Sequence, residues 1–359
     1  MITYPAFKVA AVHAAPVFLD AEATADKACA LIEEAARNGA ELIAFPEVFI
    51  PAYPAWSGLR SPVYNHDLFC RLAANTVHVP GPELARICDT TRRCGVFVSL
   101  GINEGTPQSV GCIWNANVLI GEDGSILNHH RKLVPTYYEK LTWANGDGAG
   151  LRVVETRLGR VGMLICGENT NPLARFTQMA QGEQVHISTW PPIFPYKDPE
   201  EGENYPLDES IRIRVRSYSF ESKCFNIAVA SFMDKAMRQE FEKLHPDAGR
   251  LLDCSPRGIS MVTGPNGEII GDPLSDSEGI LYADIDLAAS VEPKQMHDIV
   301  GYYNRFDVFK LTVDRSANRP IAFEAASIER MAEPEKEPKE KTEAETEERR
   351  GSNLEVISG

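Results

Sequence analysis

The sequence lacks the spacing of a metal site, long apolar runs and an excess of positive charge. It contains eight cysteines, but no two are spaced as Cys-x-x-Cys, which disfavours zinc and thioredoxin-type sites. No run of 18 apolar residues and no charged-then-apolar leader occurs, so we expect neither a membrane span nor a signal peptide. The net charge of -15 and the absence of a basic stripe argue against nucleic acid or an anionic membrane as a partner. We therefore expect a cytoplasmic protein that has reduced cysteines and needs no metal or cofactor.

The pattern that is present is an alternation of helices with strands and hairpins. It runs from a first strand at Lys8 to Val12 to a last strand at Gly279 to Asp286. A hydrophobic fraction of 43% over 359 residues is enough for a large core. No linker interrupts the alternation, which predicts one α/β domain with mixed sheets and helices on the outer faces.

The composition changes near the C-terminus. Glu, Lys, Pro and Thr dominate from Glu333 to Arg350, and aromatic residues are absent from that stretch. Such a composition cannot bury enough apolar surface to order itself. We therefore divide the chain into a domain over residues 1–320 and a charged, disordered tail over residues 321–359.

One cysteine follows a buried strand directly. The apolar run Val161 to Ile165 ends at Cys166, and Gly167 then permits a sharp turn. Asn171 and Pro172 are typical of the N-cap and first position of a helix. In open α/β folds, binding and catalytic residues lie at the carboxyl ends of the strands. A thiol that faces the N-terminus of a helix has a lowered pKa. On this local context Cys166 is either a nucleophile or a buried structural cysteine.

Two further charged residues stand where strands end. Glu47 follows the buried strand Glu41 to Ala44, and Lys132 follows the second arm of a hairpin. If these strands are neighbours of the one before Cys166, a carboxylate, an ammonium and a thiol meet at one edge. Cys166 would attack an electrophilic carbon, Glu47 would take its proton and later activate water, and Lys132 would stabilise the charge that develops. A cysteine–histidine protease is the competing use of such a thiol, but strand alternation turns His129 and His130 in opposite directions.

Taken together, these segments resemble the carbon–nitrogen hydrolase (nitrilase) superfamily. The resemblance covers roughly residues 5–315 and depends on three segments, Phe45 to Glu47, His130 to Thr136 and Cys166 to Asn169. Trp143 to Gly148 and His186 to Pro191 are similar to segments of bacterial and fungal nitrilases. The resemblance implies a four-layer α-β-β-α sandwich, a Glu47–Lys132–Cys166 catalytic set and homo-oligomers, including spiral filaments.

The resemblance also implies a second glutamate, at Glu139, that orders the site and assists proton transfer. The alternative for Glu139 is a surface ion pair with Lys140 or another neighbour. Many members of the family carry tryptophan after the cysteine, so Gly167 leaves the shape of the pocket open.

Three aromatic residues are candidates for the substrate pocket. Trp190 stands at a strand end and is either a lining or a core residue. Tyr53 and Trp56 lie in the long aromatic loop Phe49 to Tyr64 and either form the other wall or pack the loop. Glu168 and Asn169 are expected to fix the turn through local hydrogen bonds.

The function that the resemblance implies is hydrolysis of an organic nitrile. The thiolate adds to the nitrile carbon to give a thioimidate, ammonia leaves, and a thioester is hydrolysed to the carboxylic acid. An amidase or a cyanide-degrading enzyme of the same superfamily is the nearer alternative. A non-catalytic assembly module on the same scaffold is the more distant one.

Overall fold

The computed structural model describes residues 4–198 and 200–318. The predicted tail over residues 321–359 lies outside these residues. Twelve strands in the described ranges form two six-stranded sheets. None of the helices in these ranges is long and apolar enough to cross a lipid bilayer.

The first sheet has the order β12-β1-β2-β3-β4-β5. Its strands are β1 (Ala6–His13), β2 (Leu42–Ala44), β3 (Phe97–Glu104), β4 (Trp114–Ile120), β5 (Ile126–Arg131) and β12 (Gly279–Asp286). Strands β1, β2 and β3 are parallel, while β4 and β5 form an antiparallel hairpin at one edge. Strand β5 runs in the same direction as β2, so the carboxyl ends of both strands lie on the same side of the sheet.

The second sheet has the order β11-β10-β9-β8-β7-β6. Its strands are β6 (Val154–Thr156), β7 (Gly159–Ile165), β8 (Val185–Trp190), β9 (Phe225–Ala230), β10 (Ser260–Thr263) and β11 (Ile269–Leu274). Strands β7, β8 and β9 are parallel. Cys166, which follows β7 directly, and Trp190, the last residue of β8, consequently lie on the same side of the sheet, at the carboxyl ends of neighbouring strands.

The two sheets pack face to face because their strands are apolar on both sides. In β1, Val9 and Ala11 belong to a core with Met163 and Ile187 of the second sheet, whereas Ala10 and Val12 belong to a core with helix residues. This alternation follows from the two-residue period of a strand. Helices cover the outer faces and complete a four-layer α-β-β-α sandwich, as the resemblance implied.

The helices are α1 (Ala21–Arg37), α2 (His66–Ala74), α3 (Pro82–Cys94), α4 (Pro172–Met179), α5 (Leu207–Ser222), α6 (Lys235–Glu242), α7 (Ala248–Asp253) and α8 (Val291–Met296). The predicted helix at Pro172 to Met179 is confirmed, and its N-cap is Asn171, whose side chain accepts from the backbone N–H groups of Leu173 and Ala174. Helices α6, α7 and α8 were not predicted, because each spans only six to eight residues.

Candidate active site

Glu47 is positioned by a close approach of its loop to a neighbouring strand. The chain leaves β2 at Ala44 and turns through Pro46 against Gly101 of β3. A Cβ on Gly101 would lie 2.1 Å from the Pro46 carbonyl oxygen, so only glycine permits this packing. Glu47 is thereby held beneath the surface with 1% of its area exposed.

Lys132 joins Glu47 and Glu139 in a buried ion cluster. Its Nζ lies 2.7 Å from Glu47 Oε1 and 2.7 Å from Glu139 Oε2. The sulfur of Cys166 and one carboxylate oxygen from each glutamate lie within 4.8 Å of one another. The strands of both sheets thus bring the predicted carboxylate, ammonium and thiol together at one edge.

Glu139 is a buried member of this cluster and does not pair with Lys140 at the surface. Tyr53 Oη donates to its Oε1 at 2.8 Å, and the backbone N–H of Thr136 donates to its Oε2 at 2.6 Å. Together with Lys132, these donors occupy both of its oxygens. Glu139 is therefore arranged to fix the lysine.

Glu47 differs from Glu139 in having a free oxygen. Asn115 Nδ2 donates to its Oε1 at 2.7 Å, the oxygen that also accepts from Lys132. Its buried Oε2 has no hydrogen-bond partner among the described residues. This oxygen can accept a proton from a neighbouring group, as a general base must.

Glu168 and Asn169 fix the turn that carries the thiol, as predicted from the sequence. Glu168 accepts from the backbone N–H groups of Ile165 and Leu133 at 2.8 and 2.6 Å. It also contacts His130 Nε2 at 2.9 Å, and Asn169 Nδ2 donates to the Cys166 carbonyl at 3.1 Å. Because Leu133 follows Lys132 directly, Glu168 ties the nucleophile turn to the lysine segment.

Burial dominates the protonation of Glu47. Loss of water raises the pKa of its carboxyl to about 7, with Lys132 opposing the rise and Glu139 adding to it. Burial alone would lower the pKa of Lys132, but Glu139 and Glu47 outweigh it and raise that pKa well above its usual value. The lysine is therefore a permanent cation, while Glu47 can exchange a proton near neutral pH.

The expected lowering of the Cys166 pKa is wrong. Burial, and next the carboxylate of Glu47, raise the pKa of the thiol well above its usual value, although Lys132 opposes them. The cysteine does not stand at the N-terminus of α4, because a 3₁₀ turn over Cys166–Thr170 comes first and Asn171 caps the helix. Two carboxylates against one ammonium leave the cluster negative, so a thiolate would add a third anion.

The cluster contains groups that can ligate a divalent cation. Glu47, Glu139 and Cys166 are of that kind and lie close enough together. The ammonium of Lys132, however, already lies within hydrogen-bond distance of both carboxylates. An ion would have to compete with it for the same oxygens.

A cavity of about 320 Å³ opens beside the sulfur of Cys166. Gly167, Thr136 and Leu207 contribute to its wall. Its aromatic lining consists of Tyr137, Trp190, Phe194, Tyr196 and Tyr205. The thiol is consequently accessible to a small molecule that has an apolar or aromatic body.

Of the three aromatic residues proposed from the sequence, only Trp190 lines this cavity. Tyr53 belongs to the ion cluster through its bond to Glu139. Trp56 is 1% exposed and packs edge-to-face against Phe18 in the core, with ring centroids 6.2 Å apart. The structure thus places Tyr53 and Trp56 away from the cavity wall.

Sequence reasoning missed Asn115 and Arg214. Lys132 donates its backbone N–H to the Asn115 carbonyl at 2.8 Å, so the register of the β4–β5 hairpin could have identified Asn115 as its neighbour. Arg214 lies on α5 among alternating arginines, where no pattern marks it. It contributes to the lining of the cavity, which only the packing of α5 reveals.

Comparison with known proteins identifies the family to which the chain belongs. The carbon–nitrogen hydrolase family model matches residues 8–295. The chain is 34% identical to a nitrilase of Paraburkholderia phymatum over 90% of this chain and 91% of that protein. It is 35% identical to an arylacetonitrilase of Aspergillus kawachii over 91% of this chain and 97% of that protein.

The fold is also found among solved structures. A carbon–nitrogen hydrolase from Helicobacter pylori G27 superposes with a TM-score of 0.65 and 20% sequence identity. The match covers 85% of this chain and 97% of that one. At this identity the likeness concerns the fold alone.

Proposed function

Because the chain belongs to the carbon–nitrogen hydrolase family, we propose that it is a nitrilase that converts an organic nitrile to the carboxylic acid and ammonia. The observation that carries this proposal is the buried cluster of Glu47, Lys132 and Cys166 at the bottom of an aromatic cavity. The two relatives described above, a nitrilase and an arylacetonitrilase, also support it.

In the proposed first half of the reaction, Glu47 is the base. The free Oε2 of Glu47 takes the thiol proton while Cys166 Sγ adds to the nitrile carbon. The nitrile nitrogen receives that proton, which gives a thioimidate. Lys132, which donates to Glu47 within the same cluster, stabilises the negative charge that builds up on nitrogen. Because the thiol keeps its proton until attack, no isolated thiolate is needed.

In the second half, two water molecules are consumed. Glu47 removes a proton from the first water, which adds to the thioimidate carbon and gives a tetrahedral species. Protonation of its nitrogen releases ammonia and leaves a thioester. A second water, activated in the same way, releases the carboxylic acid and returns the proton to Cys166. If the tetrahedral species expels the thiol instead, the product is an amide.

The cavity favours nitriles with an aromatic substituent. Five aromatic rings line it, and a volume of about 320 Å³ far exceeds what cyanide needs. Aromatic rings pack well against other rings in offset or edge-to-face arrangements. We therefore propose arylacetic or other aryl-substituted nitriles as the preferred class.

The test is a panel of aliphatic, arylacetic and aromatic nitriles together with the matching amides and cyanide. Ammonia release and chromatography of acid and amide are measured for the wild type and Cys166→Ala. Cys224→Ala is the matched control, because Cys224 is also buried but lies in a core with Tyr218. We expect acid from aryl-substituted nitriles and loss of turnover only in Cys166→Ala. Hydrolysis of amides without nitriles would instead assign an amidase, and turnover of cyanide alone a cyanide-degrading enzyme.

We also propose that copies of the chain associate in the cytoplasm. Ile213 and Phe220, seven residues apart on α5, are 60% and 49% exposed, and Leu173 of α4 is 60% exposed. Apolar residues grouped on helix surfaces are typical of protein interfaces. All eight cysteines are free, as in reducing compartments. Light scattering is expected to show that the wild type is an oligomer. Ile213→Asp, which places a charge on this surface, should lower the fraction of oligomer, and a monomeric wild type would refute the proposed association.

A further inference from the structure

Arg214 is the charged residue of the cavity. The other lining residues are aromatic, aliphatic or uncharged polar groups, and the Cys166 thiol is neutral because of its raised pKa. The guanidinium stands over the ring of Trp190, with 5.9 Å from Cζ to the ring centroid. It is therefore held within the wall of the cavity that leads to the nucleophile.

The guanidinium has no carboxylate partner among the described residues. Its Nε donates to Thr170 Oγ1 at 2.5 Å, and its Nη1 donates to Tyr205 Oη at 2.9 Å and to the Ser210 carbonyl at 3.1 Å. All three acceptors are neutral oxygens. Within residues 4–198 and 200–318, Nη2 donates to no protein acceptor, which leaves two N–H groups for a ligand.

These contacts orient the guanidinium and leave its charge uncompensated. Arg175 of the neighbouring α4 shows the usual alternative, since its guanidinium pairs with Glu221. A guanidinium N–H forms a charge-assisted hydrogen bond with a carboxylate oxygen, and each of the two free N–H groups of Nη2 can donate one. In a wall that is otherwise uncharged and largely aromatic, this group would favour a ligand that combines an aromatic ring with an anion.

We propose that Arg214 determines specificity by binding a carboxylate that the substrate carries away from its nitrile. The inference rests on the proposed nitrilase function and names its substrate class as aryl-substituted nitriles with an acidic group on the ring. The ring would pack among the aromatic residues, with the nitrile carbon at Cys166 and the carboxylate at Arg214.

The experiment compares two pairs of nitriles with the full chain. Each pair consists of a (cyanomethyl)benzoate and the (cyanomethyl)toluene that carries a methyl group in its place, in the meta and para series. The specificity ratio is kcat/KM for the acid divided by kcat/KM for its methyl analogue. We expect a wild-type ratio above one in at least one series, and a decrease as ionic strength rises.

Arg214→Gln should lower this ratio by about 10- to 100-fold, the range expected for losing a hydrogen bond to a charged group. The effect should appear mainly in KM for the acid. Arg214→Lys keeps the charge but not the planar guanidinium that Thr170, Tyr205 and Ser210 orient, and it should retain part of the ratio. Arg212→Gln is the matched control, because Arg212 lies on the same helix outside the cavity lining and should leave the ratio unchanged.

Several results would overturn the inference. A wild-type ratio at or below one in both series excludes an acid-binding site, even if no variant folds. An equal decrease for acid and methyl analogue in Arg214→Gln would mean that the arginine only supports the turn through Thr170. If the wild type hydrolyses other nitriles of the panel but none of these four, this inference is refuted and the proposed nitrilase function stands. If it releases ammonia from no nitrile at all, both are refuted.

Discussion

The protonation of Glu47 gives the sharpest quantitative prediction. The proposed reaction needs its ionised carboxylate, and burial raises the pKa of this group to about 7. With uncharged substrate, kcat/KM should therefore decrease about tenfold per pH unit well below 7 and reach a plateau above 8. We call this decrease below pH 7 the acid limb of the profile. Ionisation of the Cys166 thiol does not add a second transition in this pH range, because the pKa of the thiol is raised.

Asn115 offers a way to move this limb. Its Nδ2 donates to Glu47 Oε1 at 2.7 Å and so stabilises the ionised form. A hydrogen bond to a charged group contributes about 1.5–3 kcal/mol, and one pKa unit corresponds to about 1.4 kcal/mol. Since Lys132 still donates to the same oxygen, Asn115→Ala should move the limb by about one unit, towards higher pH.

The assay is ammonia release from a neutral arylacetonitrile between pH 5.5 and 9.5. At pH 6 the kcat/KM of Asn115→Ala should be about tenfold below that of the wild type, and the two should converge near pH 9.5. Asn117→Ala is the matched control: Asn117 is also buried in β4, but its Oδ1 accepts from Ser99 at 3.0 Å. An unmoved limb in Asn115→Ala, or an equal shift in Asn117→Ala, would refute the assignment of the limb to Glu47.

Four other changes test separate parts of the proposal. Cys166→Ser should reduce turnover by at least 10³-fold with an unchanged melting temperature, because the hydroxyl is the weaker nucleophile; near-normal ammonia release would contradict covalent catalysis. Lys132→Met should reduce kcat by about 10²- to 10³-fold, and a near-normal rate would remove the ammonium from the mechanism. Gly167→Ala should lower kcat several-fold, since its Cβ would lie 2.9 Å from Thr136 Oγ1, beside the turn that carries Glu139. Unchanged kinetics would show that Thr136 can shift to make room for the methyl group. Deletion of residues 321–359 should leave kcat/KM within about twofold, because all proposed site residues lie before residue 215, and loss of folding would contradict the domain boundary.

The sequence predicted the strand ends that carry the reactive groups. Apolar runs before Glu47 and Cys166 mark buried strands, whereas Lys132 was located by the hairpin that precedes it. Strands β2 and β5 run in the same direction within one sheet, which brings Glu47 and Lys132 to the same side, while Cys166 follows a strand of the other sheet. The hairpin β4–β5 and the helix after the nucleophile were also predicted from turn and cap residues. These features are local, so a one-dimensional pattern contains them.

The features that the sequence did not reveal depend on three-dimensional packing. The Cys166 pKa was predicted from one helix end, whereas burial and the sum of four neighbouring charges decide it. Arg212, Arg214 and Arg216 alternate along α5, and only the packing of that helix selects Arg214 for the cavity. Trp56 was a candidate for either the pocket wall or the packing of an aromatic loop, and the structure decides for packing, because this ring contacts Phe18 in the core.

Backbone strain is concentrated in the segments that carry the reactive groups. Of the six non-glycine residues with positive φ in the described ranges, three belong to these segments: Val48, Tyr137 and Cys166, with φ of 41°, 50° and 49°. Each costs about 1–2 kcal/mol relative to ordinary backbone, and a β-branched residue such as Val48 is a pronounced outlier. The packed core must offset this cost during folding, before any substrate binds. The reactive side chains are consequently held in place in advance, so that Lys132 can stabilise developing charge without a reorganisation step at each turnover.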